Sequence, residues 1–117
     1  MPETKTSEIM IELKDKHCVP CEQGAKPLNS EEIESLKKEV GNEWQVVNNE
    51  KIKKEYPFEN FKRGMAFAQN VATIADKENH HPDLHIHYKT VEVELSTHKI
   101  GGLSANDFIL AAKIDEL

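Results

Sequence analysis

A change of hydrophobic rhythm at one proline constrains this chain more than any other feature. Before Pro82, apolar residues recur at helical spacing. Phe61, Met65, Ala68, Ala72 and Ala75 share one face, and Phe67, Val71 and Ile74 widen it. After Pro82, Leu84, Ile86 and Tyr88 alternate with polar neighbours, and Val91, Val93 and Leu95 then alternate in the opposite phase. The first pattern predicts a helix over residues 59–79, because the residue before a proline is pushed out of the helical region. The second predicts two strands joined by a tight connection or bulge near Lys89 and Thr90, since a one-residue phase change turns every side chain to the other face.

The remaining elements are signalled by caps and turns. Asn29, with Glu32 three residues later, forms a reciprocal cap in which each side chain satisfies a backbone N–H. Leu28 and Ile33 staple that entry, Ile33, Leu36 and Val40 mark an apolar stripe, and Gly41 stops the helix. Residues 44–47 and 52–58 flank Asn48-Asn49-Glu50 and predict a hairpin. A third helix starts at Ser104, with Asp107 at the third position and the staple pair Leu103 and Phe108, and runs to the C-terminus over Ala111, Ala112 and Ile114. Ile9, Ile11 and Leu13 alternate as in a short strand, residues 1–8 are polar and expected to fray, and residues 17–27 read as an irregular loop. The order helix-strand-strand-helix-strand-strand-helix points to an α+β fold, an antiparallel four-stranded sheet covered on one face by three helices.

A length of 117 residues fits a single domain over 1–117, with an N-terminal extension over 9–28. The net charge of -6 and the scattered basic residues exclude general nucleic-acid affinity, which needs clustered cations. Lys51-Ile52-Lys53-Lys54 reads as a solvated strand face. No apolar run reaches the roughly 18 residues that span a bilayer, and the polar N-terminus lacks the apolar core of a secretory signal. With two cysteines and no sign of export, a cytoplasmic location is expected.

Histidine is the side chain suited to proton transfer in both directions near neutral pH. Five of the six histidines lie between residues 80 and 98. His80-His81-Pro82 follows Asn79 at a helix end, where the partial negative charge of the terminus favours protonated rings. Taken alone, the tripeptide is a weak motif and fits an exposed helix terminus somewhat better. His98 ends a strand and leads into Gly101-Gly102, a rigid-to-open junction of the kind that carries functional residues. His85 and His87 alternate onto one strand face, a spacing that can hold zinc with a third ligand, but Lys89 continues that face and points to solvent. Cys18-Val19-Pro20-Cys21, with His17 beside it, is half of a zinc site, a thiol pair or plain packing. Pro27 argues against the helix that directly follows a thioredoxin-type motif.

Read together, His80-His81-Pro82-Asp83, the run from Tyr88 through Val91, Val93 and Leu95 to Thr97-His98, and Gly102-Leu103, Asp107-Phe108 and Ala111-Ala112-Lys113-Ile114-Asp115 resemble the pterin-4a-carbinolamine dehydratase family. Trp44, Tyr56-Pro57-Phe58, Phe61 and Ala66-Phe67 fit as well, and the Cys18-Val19-Pro20-Cys21-Glu22 leader is similar to bacterial-type members. The resemblance implies dehydration of 4a-hydroxytetrahydropterin to quinonoid dihydropterin in tetrahydrobiopterin recycling, with no metal or cofactor and the pterin as substrate. It implies His80, His81 and His98 as catalytic residues. It adds Asn79, Ser96, Thr97 and Lys99 to the substrate contacts, with Asp76 one helical turn before His80 to orient that ring. Assembly into homodimers or homotetramers is implied, with no direct nucleic-acid or membrane partner. An alternative carried by the same resemblance is a pterin-related accessory or protein-binding role, as in animal members that serve as dimerisation partners of a transcription factor.

Overall fold

A computed structural model describes residues 12–20 and 25–117. The elements are helix α1 (Ser30–Val40), strands β1 (Gln45–Val47) and β2 (Lys51–Pro57), helix α2 (Phe61–Glu78), strands β3 (Asp83–Ile86) and β4 (Thr90–Leu95), and helix α3 (Ala105–Asp115). The four strands form one antiparallel sheet in the order β1-β2-β4-β3. The expected α+β architecture and order of elements are therefore present. Of the short N-terminal strand signal, residues 9–11 lie outside the described residues, and Leu13 opens a 3-10 turn, Leu13–Asp15, packed in the core.

Local chemistry explains the boundaries. The Asn29 side chain accepts from the Glu32 N–H and the Glu32 carboxylate from the Asn29 N–H, both at 2.9 Å. Gly41 ends α1 at φ 93°, which a side-chain-bearing residue rarely adopts. Asn48 and Asn49 both take positive φ, and the Glu50 N–H closes onto the Val47 carbonyl, the primed turn that matches the twist of a hairpin. The phase break between β3 and β4 is the turn around Tyr88, closed by the His87 N–H on the Thr90 carbonyl. Tyr88 therefore leaves the strand and is exposed.

The core lies between one sheet face and the helices. Ile52, Val91, Val93 and Leu95 project from β2 and β4 onto Phe67 and Val71 of α2 and onto Phe108, Leu110 and Ile114 of α3. The buried face of α2 is Gly64, Phe67, Ala68, Val71 and Ala75. Phe61, Met65 and Ala72, expected on the core face, are exposed. The two overlapping stripes on the helix are offset by about one residue, roughly 100° around the axis, and sequence alone cannot choose which meets the sheet. Lys54 also departs from expectation: it lies on the covered face of the sheet. Its ammonium is 2.7 Å from Asp115 and 3.1 Å from Glu43. Asp115 further accepts from Trp44 Nε1 at 2.9 Å and from the Tyr56 hydroxyl at 2.5 Å, which ties the end of α3 to the sheet.

Candidate active site

The decisive local event is how α2 ends. Asn79 adopts the left-handed conformation at φ 54°, the His80 N–H bonds the Ala75 carbonyl, and the Asn79 N–H bonds the Asp76 carbonyl. This paired closure is a Schellman motif, and it turns the chain sharply out of the helix. Adjacent rings then diverge. His80 tucks inward with its side chain 12% exposed, whereas His81 is 57% exposed.

On the opposite wall, β4 ends at Leu95 and the chain passes through Ser96 and Thr97 into a 3-10 turn, His98–Ile100. Thr97 bridges back to Gly102 in both directions, a small closed loop that presents His98 and Lys99 outward. Gly102 must be glycine there, because a Cβ would lie 2.8 Å from the Cβ of Pro27. Asn79, His80, His81, Ser96, Thr97, His98 and Lys99 all line one cleft of about 380 Å³. The structure thus brings together all seven residues expected to contact substrate.

Behind the cleft lies a fully buried carboxylate, Asp107. Its Oδ1 is 2.6 Å from His80 Nε2, and its Oδ2 accepts from the Thr97 hydroxyl at 2.8 Å and from the Ser104 N–H at 3.0 Å. Thr97 gives its proton to Asp107, so its oxygen accepts from the Ser104 hydroxyl at 2.8 Å. An ionised carboxylate only accepts hydrogen bonds, so the neutral His80 ring carries its proton on Nε2 and its lone pair on Nδ1.

The expectation that Asp76 orients His80 is corrected. Asp76 Oδ1 lies 2.9 Å from His81 Nε2, and His80 belongs to Asp107. The physical reason is the Schellman turn: at Asn79 the chain leaves the helix, so one-turn spacing no longer stacks Asp76 on His80. The Asp76–His81 pair is largely exposed. Sequence reading identified Asp107 as a helix cap but missed its contact with the histidine, which spans 27 positions. It also missed Val19, Pro20 and Asn106, which complete the cleft. The leader's sequence offers a loop and a cysteine pair, and nothing local links it to α3.

Other groups are neutralised where they stand. A depression of about 500 Å³ beside His17, Glu78 and Lys113 is built from partners already paired with one another. Among the described residues, His85, Glu92 and Glu94 form the grouping with metal-ligand spacing, on the sheet face away from the helices. The Lys51 ammonium lies 3.1 Å from Glu94 and already supplies the positive charge there. The Cys18 thiol is half-buried and pushed up to about 12 by burial and by the Glu78 and Asp107 carboxylates, which disfavours the thiolate that metal binding or redox exchange requires. Cys21 lies outside the described residues.

Residues 26–117 match the family model described as pterin 4 alpha carbinolamine dehydratase. The chain belongs to that family, a family of hydro-lyases. A relative from Rickettsia canadensis that carries the pterin-4-alpha-carbinolamine dehydratase name is 49% identical over 106 residues, covering 91% of this chain and 97% of that protein. A Nitrosomonas eutropha relative with the same name is 46% identical over 108 residues, covering 92% and 95%. The crystal structure of a transcriptional coactivator/pterin dehydratase from Brucella melitensis superposes with a TM-score of 0.71 at 28% identity, covering 78% of this chain and 97% of that one. A pterin dehydratase-like RuBisCO assembly factor of the alpha-carboxysome shares the fold, with a TM-score of 0.55 at 16% identity and coverage of 66% and 90%. No helix among the described residues of this dehydratase family member is long and apolar enough to cross a membrane.

Proposed function

We propose that this chain dehydrates 4a-hydroxytetrahydropterin to quinonoid dihydropterin, with His80, His81 and His98 acting on a pterin bound in the cleft. The observation that carries this reading is the convergence of three imidazoles, from the end of α2 and the turn after β4, on one cleft. In the reaction the C4a–O bond breaks and the hydroxyl leaves as water after gaining a proton. A ring nitrogen loses its proton, and that electron pair forms the new ring double bond. One acid and one base on either side of the ring serve both transfers.

His80 suits the base, because Asp107 holds the tautomer whose lone pair is on Nδ1. His98 then supplies the proton to the leaving hydroxyl. His81, with Asn79, Ser96, Thr97 and Lys99, binds and orients the ring, and Asp76 supports His81. No metal or cofactor enters these steps. Recycling of tetrahydrobiopterin in the cytoplasm is the context that fits this chemistry.

The partner reading is self-assembly into a dimer or tetramer. It is supported by the exposed Phe61 and Met65 on α2 and by Ile86 on the edge strand β3, apolar surface that a second copy could cover. Sedimentation of wild-type protein as a monomer at every concentration would sink it. A coactivator-like role is named for the Brucella protein and remains the alternative.

The deciding test of the catalytic reading is the dehydration rate with wild-type protein and with His98→Ala. Strong acceleration by the wild type, lost in a folded variant, supports it. No acceleration by folded wild-type protein overturns it and moves the weight to a binding role.

A further inference from the structure

We propose that the N-terminal strap of residues 17–20 is a specificity-determining wall of the cleft, which presses the apolar side chain of Val19 against a bound pterin. The inference rests on the dehydratase reading for the identity of the ligand. The strap precedes residue 26, where the match to the family model begins.

The strap is fixed at two points. The buried Glu78 carboxylate accepts from the Cys18 N–H at 2.8 Å and from the His17 ring at 2.9 Å. In the first turn of α3, the buried Asn106 side chain grips Val19 by both backbone groups. Its Oδ1 accepts from the Val19 N–H at 3.0 Å, and its Nδ2 donates to the Val19 carbonyl at 2.6 Å. Two buried polar side chains are thus used to hold a segment that contributes no side chain to the core beyond the half-buried Cys18.

What the anchoring achieves is placement. Val19 and Pro20 line the same cleft as the three histidines, and Val19 is 65% exposed there. An exposed branched apolar residue on a rim whose side chains are otherwise polar except for Pro20 gains nothing by folding. It gains by meeting a flat, partly apolar ring, and a strap pinned by Asn106 meets that ring without first being ordered. Val19 touches no reacting atom, so its contact is made equally in the ground and transition states. Asn106 and Glu78 are positioning residues for it.

The test uses Val19→Ala, which trims the wall, and Asn106→Ala, which releases the strap. Contacts made equally in both states change KM and not kcat. Each variant is expected to raise KM for 4a-hydroxytetrahydropterin by about three- to tenfold with kcat within about twofold. Calorimetric titration with 7,8-dihydrobiopterin is expected to weaken by the same factor. Unchanged KM and unchanged dihydrobiopterin affinity in the folded variants of an active enzyme would overturn the strap proposal and leave the dehydratase reading intact. A wild type that binds dihydrobiopterin without turnover would overturn the dehydratase reading, and the titration then decides the strap alone. A wild type that does neither overturns both. Should Asn106→Ala fail to fold, Val19→Ala decides, since that exposed side chain supports no packing.

Discussion

The Nε2 of His80 lies 2.6 Å from Oδ1 of Asp107, a carboxylate with no exposure to solvent that also starts helix α3. One side chain therefore sets both the geometry of a proposed catalytic ring and the entry of a core helix. Replacement by asparagine puts an amide N–H₂ where either the ring N–H or the Thr97 and Ser104 donors need an acceptor. Asp107→Asn is expected to lower kcat by about 10- to 100-fold. It is also expected to cost about 1–3 kcal/mol of stability through the unpaired donors. Steady-state kinetics and urea unfolding of the same preparation check both effects.

Asp76 provides the contrast. It pairs with His81 in an exposed position, where such pairs contribute about 0–1 kcal/mol. Asp76→Asn is expected to leave stability within about 0.5 kcal/mol and to change turnover far less than Asp107→Asn does. A larger loss of kcat in Asp76→Asn than in Asp107→Asn, measured side by side, would mean that His81 and not His80 carries the proton.

Glu78 makes stability depend on pH. Burial alone would raise its carboxyl, but the Cys18 N–H, the His17 ring and the Lys113 ammonium hold it below the ordinary 4.5. A carboxyl depressed in the folded state adds stability that is full above its unfolded value and is lost as pH falls through the folded one. Glu78→Gln is therefore expected to be less stable than wild type by about 1–3 kcal/mol near pH 7. That gap narrows as pH drops below 4.5. Paired urea titrations across that range show whether the two stabilities converge.

Asp115 ties the last turn of α3 to Trp44, Lys54 and Tyr56. Burial and then Asp115 push the Tyr56 hydroxyl far above its ordinary range, so it remains a donor. Asp115→Ala leaves the fully buried Trp44 N–H without its acceptor and the mostly buried Lys54 ammonium with Glu43 alone. A loss of about 2–4 kcal/mol in unfolding free energy is expected. The effect on KM is expected to be small, because this cluster does not line the cleft.

These contrasts also show what the sequence could reveal. The reciprocal cap at Asn29 and Glu32, the asparagine turn at 48–49 and the proline after α2 act over a few residues, so spacing alone located those boundaries. The cleft-lining residues from 79 to 81 and from 96 to 99 are legible because each set is contiguous and carries a family pattern. The His80–Asp107 contact and the grip of Asn106 on Val19 join segments far apart in the chain, and no local rule encodes them. The assignment of Asp76 to His80 failed for the opposite reason. It extended a helical spacing one residue past the left-handed Asn79, where the helix had ended.

The double duty of Asp107 has an evolutionary corollary. A lineage that keeps this scaffold but abandons dehydration still needs a carboxylate to start α3, so purifying selection on foldability alone retains it. The exposed His98 has no such second employment, and drift removes it once the reaction is no longer selected. On the proposed mechanism, loss of the histidine at position 98 in relatives sorted by activity is therefore the expected scar of a retired enzyme. Persistence of the aspartate at 107 records only that the chain still folds.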